Sequence, residues 1–274
     1  MSPATSPAKT TQARLQAVIN QSRQIMRKDA GLNGELDRLP QLAWLLFLKA
    51  FDDLEEEREA LEAGYLMRTE DGEIAEIVRT PTPDGRPRAL IDFSNPAARA
   101  WWQEMHRDFL DDGVAVFKTD FGEALPDDAV YADGTPMAHS HNLYPLRYNG
   151  TVYDGITRLT GRNALVWGRS GWAGSQRYPG QWGGDAESTV AGMQATVRGG
   201  LSYALSAPGL WSHDIGGFFG PELTPALYVR WTQFGALSPL MRAHGLRPRE
   251  PYEFGAHALE VARRWIRLRY QLLP

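Results

Sequence analysis

Short apolar runs alternate with amphipathic segments along the second half of the chain. Five of these runs predict β-strands because they are brief and mostly rich in β-branched or aromatic residues; they lie near 114–119, 163–169, 181–184, 208–213 and 235–240. Apolar residues at helical spacing predict helices near 97–110, 141–159, 187–197, 225–232 and 256–272. We expect Gly199 and Gly200 to end the third of these helices. Alternating strands and helices indicate an α/β fold with a parallel sheet or barrel.

The first part of the chain has a different pattern. Residues 1–10 are rich in Ser, Pro and Thr, which predicts a disordered tail. Helical spacing then predicts helices over about 11–28 and 36–63, and the second has an apolar middle and a charged end, as is typical of a packed helical hairpin. DG at 71–72 and 84–85 predicts turns between short β segments. We therefore predict two domains, residues 1–62 with the tail and hairpin, and residues 63–274 with the α/β fold.

Composition narrows the class of protein without naming a ligand. The chain is 43% hydrophobic and 23% charged, as in ordinary soluble globular proteins. A net charge of -4 argues against a nucleic-acid ligand. Without cysteine, and with only six scattered His, neither a metal site nor a cofactor is expected. No apolar stretch approaches the ~18 residues that cross a membrane, and no signal peptide is visible, so we expect a cytoplasmic protein.

Carboxylates follow three of the predicted strands, namely Asp120, Asp185 and Asp214. Basic residues follow two others, at Arg169 and in Arg242-x-His244. The carboxyl ends of parallel strands lie along one rim, where α/β proteins carry their chemistry. Two carboxyl groups that flank a glycosidic bond are the groups that hydrolyse it. The pattern therefore predicts a sugar site on this rim, although an isolated Asp after a strand can also simply cap a turn.

Four segments in order resemble glycoside hydrolase family 31: FKTDFGE, RSGWAGSQRYPGQWGGDAEST, RGGLSYALSAPGLWSHDIGGF and FGALSPLMRAHG. The resemblance covers about residues 63–274 and implies a (β/α)8 barrel and a retaining α-glucosidase or α-xylosidase acting on an α-linked oligosaccharide or α-glycoside. It implies that Asp120 is the catalytic nucleophile and Asp185 the general acid/base. It further implies a sugar-binding or supporting role for five residues, Lys118, Arg169, Trp182, Asp214 and His244.

Several of these residues also have simpler interpretations. Lys118 can be a salt-bridge partner, and Trp211, in the fourth predicted strand, is predicted to be core more than a sugar platform. Asp214 can cap a loop or hold another site residue instead of touching sugar. His213 is predicted to be structural. Glu123 is left outside the catalytic pair.

The five predicted strands correspond to strands four to eight of the family's barrel. We therefore expect a partial barrel after the helical hairpin, as in a truncated or fused chain, without the first three strands and their share of the sugar pocket. Such a barrel exposes apolar strand edges, which predicts self-association. The alternative function is a catalytically inactive remnant that acts at most as an interaction protein.

Residues 12–60 resemble a different family. SRQIMRKDAGLNGELDRLPQLAWLLFLKAFDDLEEERE is similar to the helical N-terminal segment of type I restriction-modification methyltransferase subunits. The resemblance implies a helical interaction module. Neither a cofactor-binding glycine loop nor an Asn-Pro-Pro-aromatic motif occurs in the chain, so methyltransferase chemistry is not expected. An accessory role in DNA modification is a third hypothesis, which rests on this segment alone.

Overall fold

The structure is a computed structural model that describes residues 56, 58–77, 89–206 and 209–273. The chain divides between Ala63 and Gly64 into two compact units. In the first unit, residues 58–62 form the end of a helix. The rest of the predicted hairpin, the tail and the DG at 84–85 lie outside the described residues.

The second unit alternates strands and helices. Its strands are β1 (Arg68–Thr69), β2 (Phe117–Thr119), β3 (Ala129–Val130), β4 (Val166–Gly168), β5 (Gln181–Trp182), β6 (Trp211–Ser212), β7 (Asp214–Ile215) and β8 (Arg242–Ala243). Its helices are α1 (Pro96–Glu104), α2 (Arg107–Asp111), α3 (Met137–Ser140), α4 (Leu143–Thr160), α5 (Val190–Ala204), α6 (Pro225–Ala236) and α7 (Gly255–Leu272). Single 3₁₀ turns lie at Ser175–Arg177 and Pro251–Phe254.

The main sheet is parallel and carries the residues predicted to be functional. Its order is β2-β4-β5-β6, and β7 pairs in parallel with β8. Only His213 separates β6 from β7, so the strands continue as one arc. A small antiparallel pair, β1 with β3, lies apart from this sheet. The predicted α/β fold with parallel strands is therefore confirmed.

Local sequence sets the helix starts, and apolar faces hold the helices on the sheet. Asn95 caps α1 by accepting from the Ala97 amide at 2.9 Å, with Pro96 in the first turn. Val152 of α4 packs on Val166 of β4 in one apolar cluster. A second cluster joins α6 to β7 and α7; its buried members are Ile215, Leu223, Leu227, Tyr228, Trp231 and Ala258. None of the helices in the described residues is long and apolar enough to cross a membrane.

Three predicted elements were wrong. The strand near 235–240 belongs mostly to the end of α6 and a turn, because Gly235 lets the helix approach Ile215 of β7; the strand is Arg242–Ala243. Helix α5 does not end at Gly199 and Gly200 but continues to Ala204. Gly200 is needed there for packing, because a Cβ on this residue would lie only 1.8 Å from a carbon of the Trp211 ring. The helix near 97–110 is two helices.

The chain just before β2 is exposed. Residues 113–116 are exposed although Val114 and Val116 belong to an apolar run that is typical of a buried strand. Strand β2 lies at one edge of the four-stranded sheet among the described residues. An apolar strand edge is a surface on which another chain can pair. Self-association through this edge stays a prediction.

Candidate active site

Asp120 directly follows strand β2, as the sequence predicted, and two hydrogen bonds hold its carboxylate. Lys118 donates to its Oδ2, and the Phe121 amide donates to its Oδ1 at 2.9 Å. Phe121 has a φ of 57°, a left-handed backbone that a residue with a side chain adopts rarely and at a cost. The chain therefore turns sharply just after Asp120, which leaves the carboxylate at the sheet edge with 37% of its side chain exposed.

Arg169 follows β4 and joins three carboxylates. Its Nη1 lies 3.4 Å from Asp120 Oδ1 and 3.1 Å from Asp185 Oδ2, and its Nε lies 3.0 Å from Glu123 Oε1. The Asp120 and Asp185 oxygens can be no farther apart than those first two distances combined. The predicted rim cluster of Asp120, Arg169 and Asp185 is therefore present.

A buried asparagine on α4 fixes the chain on both sides of this cluster. Asn149 is 1% exposed; its Oδ1 accepts from Thr119 Oγ1 at 2.5 Å, and its Nδ2 donates to the Ser170 carbonyl at 2.9 Å. The Arg169 amide also donates to the Thr119 carbonyl at 3.0 Å. Because Thr119 precedes Asp120 and Ser170 follows Arg169, these bonds set the spacing between the two side chains.

The charges around Asp120 keep it ionised. Burial alone would raise the pKa of Asp120, but the hydrogen bonds from Lys118 and the Phe121 amide and the charges of Lys118 and Arg169 together hold that pKa below its ordinary value. An ionised carboxylate can accept a cation or attack an electrophilic carbon. The electrostatics of this end of β2 thus suit a nucleophile.

Asp214 pairs with Arg242 inside the arc of strands. Asp214 is fully buried, and Arg242 Nε donates to its Oδ1 at 2.9 Å, with a second contact from Nη2. Burial raises the pKa of Asp214, and Arg242 opposes that shift. Two cations lie near the buried Trp182 ring, with Lys118 Nζ 4.2 Å and Arg242 Cζ 5.2 Å from its centroid. The Trp182 ring therefore connects the Asp214–Arg242 pair to Lys118, the partner of Asp120.

His244 and Trp211, which were also named from the sequence, differ in exposure. His244 is exposed and stacks on Phe218 with 5.5 Å between ring centroids. Trp211 is buried against Gly200, which confirms its predicted place in the core.

A cavity of about 920 Å³ opens beside Asp185 and Arg169 and runs along the small side chains of α5. Within the described residues no His, Asp or Glu cluster has the makings of a metal site.

His213 is structural, as predicted. It is 2% exposed and stacks on Phe234 at 4.2 Å. Trp231 Nε1 donates to its Nδ1 at 3.0 Å, so its proton is on Nε2, which lies 3.0 Å from Ser238 Oγ. Burial lowers the pKa of His213 to about 4, since a charged ring here would lose its water.

We expect His213 to make folding stability depend on pH. Its pKa rises from about 4 when folded to ~6.5 when unfolded, so its contribution is complete above ~6.5 and is lost as pH falls toward 4. The loss approaches ~3 kcal/mol. His213→Gln, which cannot titrate, should remove this part of the pH dependence in denaturant unfolding. The exposed His139→Gln should leave it in place, and an unchanged profile for His213→Gln would contradict the assignment.

No sequence pattern indicated the contacts that three residues of the site make. Asn149 lies inside a helix, where an isolated polar residue gives no signal of a buried role. Glu123 was set aside although it contacts Arg169. Arg242 was noticed only as part of Arg242-x-His244, and its apolar strand context gave no sign that it pairs with Asp214.

Comparison with known proteins places the chain in a family. A family model described as the glycosyl hydrolases family 31 TIM-barrel domain matches residues 17–274. The chain belongs to glycosyl hydrolase family 31. The predicted family and the partial (β/α)8 barrel are thereby confirmed. The match does not test the resemblance of residues 12–60 to restriction-modification subunits, which stays a prediction.

Family 31 relatives are similar over most of this chain but are far longer. An α-xylosidase of Emericella nidulans is 43% identical over 189 residues, which are 68% of this chain and 24% of that protein. The α-xylosidase XylQ of Lactiplantibacillus pentosus is 40% identical over 226 residues, 79% of this chain and 28% of that protein. The chain thus spans about a quarter of these relatives.

Solved structures of family 31 share the fold. The GH31 dextranase FjDex31A of Flavobacterium johnsoniae, complexed with glucose, matches with a TM-score of 0.73 and 29% identity. The match covers 80% of this chain and 29% of the dextranase chain. A cycloalternan-degrading enzyme of Trueperella pyogenes matches with a TM-score of 0.71 and 27% identity, over 78% of this chain and 32% of that one. The arc of parallel strands is therefore part of the family barrel.

Proposed function

We propose that this chain carries the catalytic centre of a retaining α-glycosidase of the α-xylosidase or α-glucosidase type. The observation that carries the proposal is the shared contact of Arg169 with Asp120 and Asp185, at 3.4 and 3.1 Å. Asp120 Oδ1 and Asp185 Oδ2 can therefore be no farther apart than about the lower end of the ~6.5–9.5 Å range of inverting pairs. The ~5–5.5 Å separation of retaining pairs lies within this upper limit. The close pair favours a covalent intermediate over direct attack by water.

The proposed reaction has two displacements. Asp120 attacks the anomeric carbon while Asp185 gives its proton to the glycosidic oxygen; the C–O bond to the aglycone breaks and an ester forms. Asp185 then takes a proton from water, which attacks the same carbon and releases Asp120. Two inversions return the α-anomer. Lys118 and Arg169 stabilise the carboxylate before attack and after release.

Three predicted residues are assigned to support of the sugar pocket. We assign Trp182 and the Asp214–Arg242 pair to the floor of the pocket. We assign His244 to its outer edge, beside Phe218. The substrate class follows from relatives named α-xylosidase and α-glucosidase 2. We propose an α-linked oligosaccharide or α-glycoside as substrate.

The experiment is hydrolysis of 4-nitrophenyl α-xyloside and α-glucoside, with the first-formed sugar observed by proton NMR before it mutarotates. Release of the α-anomer is expected. Release of the β-anomer would contradict the retaining mechanism. A folded protein that releases no sugar would support the alternative, an inactive remnant that acts as an interaction protein.

A further inference from the structure

Arg249 is a buried cation, and none of the carboxylates in the described residues forms a salt bridge with it. Only 6% of it is exposed, and burial lowers its pKa from the ordinary value. A buried charge that lacks a counter-ion is costly unless hydrogen bonds satisfy it. The side chain must therefore be held by its hydrogen bonds, and their acceptors show what it holds in return.

The guanidinium joins the loops that follow two of the proposed site residues. Its Nε and Nη2 donate to the Gly217 carbonyl at 3.2 and 2.7 Å, and Nη2 also lies 3.3 Å from Ser188 Oγ. Gly217 belongs to the loop after Asp214, and Ser188 to the loop after Asp185. Arg249 thus links these two loops with one planar group.

The backbone leaves a slot for this group. A Cβ on Gly245 would stand 2.6 Å from Arg249 Nη2, and one on Gly216 would stand 3.1 Å from Nε. The remaining nitrogen, Nη1, donates to the carbonyls of Arg247 at 3.1 Å and Pro248 at 3.2 Å. Arg247 and Pro248 lie in the loop after β8, so a third strand-end loop is held as well. Lysine has no planar fork that could make these bonds together.

The linked loops are also bonded to each other beside Asp185. The Phe218 amide donates to the Ala186 carbonyl at 2.7 Å, and the Ser188 amide donates to the Phe219 carbonyl at 2.8 Å. The Leu246 amide donates to the Phe218 carbonyl at 2.9 Å. Because Ala186 is the next residue after Asp185, a shift of these hydrogen-bonded loops moves the Asp185 carboxyl group.

We propose that Arg249 is a positioning residue that aligns Asp185 with the leaving-group oxygen through the 186–188 and 217–219 loops. It touches neither the substrate nor the carboxyl group. The inference rests on the proposed function, in which Asp185 transfers the proton. An acid displaced by about 1 Å loses much of its effect, and that loss is largest for leaving groups that need a proton.

The test compares Arg249→Lys with wild type on two glycosides of the same sugar. We expect kcat/KM for the methyl α-glycoside, a poor leaving group, to fall by ~10²-fold. The α-glycosyl fluoride departs without a proton, so its kcat/KM should fall by less than about threefold. Arg247→Lys, an exposed neighbour in the same segment, is the matched control and should change neither value. Equal losses on both substrates would overturn the proposal.

Hydrogen exchange gives a readout that needs no activity. Arg249→Lys should speed exchange of the Ser188, Gly217 and Leu246 amides and leave the amides of helix α4 unchanged. Uniformly faster exchange would mean that Arg249 only stabilises the fold, and unchanged exchange would mean that it does not hold the loops. A wild type that cleaves neither glycoside would defeat the proposed function, and the exchange result would still decide whether Arg249 clamps these loops.

Discussion

Asp120→Asn is expected to lower kcat for aryl α-glycosides by at least ~10⁴-fold, because the amide oxygen is too weak a nucleophile to form the ester. Asn can still accept the hydrogen bond from the Phe121 amide, so the turn after β2 should persist. The measurement is the initial rate of 4-nitrophenol release at saturating substrate. Mass spectrometry after a slowly released fluorinated glycosyl fluoride adds a direct check, since only the wild type should gain the mass of the sugar on the peptide that contains Asp120.

Glu123→Gln is the matched control for this change. Glu123 also pairs with Arg169, at 3.0 Å, so its loss removes one negative charge from the same cluster. We expect a loss of activity below about tenfold, because a partly exposed ion pair that only orients the guanidinium contributes ~1 kcal/mol or less. If both variants lost activity equally, the charge of the cluster would matter and the nucleophile assignment would fail.

The rim could be predicted from the sequence because parallel strands put their carboxyl ends along one edge. Asp120, Arg169 and Asp185 each follow a short apolar run, and the structure brings them to one guanidinium. The WGGD segment contributed more than a lone strand-end Asp, since it belongs to one of the four ordered segments that resemble the family. These residues could therefore be proposed as site residues before their geometry was known.

The contacts that hold the rim in place had no local pattern to mark them. Arg249 binds carbonyls, and any exposed turn can contain an arginine of the same appearance. Gly200 reads as a helix end, yet its contact with Trp211 depends on a strand that comes later in the chain. The same ambiguity produced the wrong strand near 235–240, because a short apolar run suits a buried helix end as well as a strand.

Asp185→Ala is expected to slow hydrolysis in proportion to how much the leaving group needs a proton. The loss in kcat/KM should be ~10²–10⁴-fold for a methyl α-glycoside, the contribution that general acid catalysis makes, and small for the glycosyl fluoride. With the fluoride, the ester on Asp120 forms but water attacks it slowly, since no base remains. The measurement is kcat/KM for a series of aryl α-glycosides. Its dependence on leaving-group acidity should be steeper for Asp185→Ala than for the wild type.

Azide separates the roles of the two carboxylates by the configuration of the product. In Asp185→Ala the anion enters the space left by the carboxylate, attacks the ester on Asp120 and should restore turnover as the α-glycosyl azide. In Asp120→Gly azide attacks the α-glycoside itself and should give the β-azide. Arg169 is present in both variants and can attract the anion, because it lies within 3.4 Å of each carboxylate that is removed. An α-azide from Asp120→Gly, or a β-azide from Asp185→Ala, would reverse the two assignments, because each displacement inverts the anomeric carbon once.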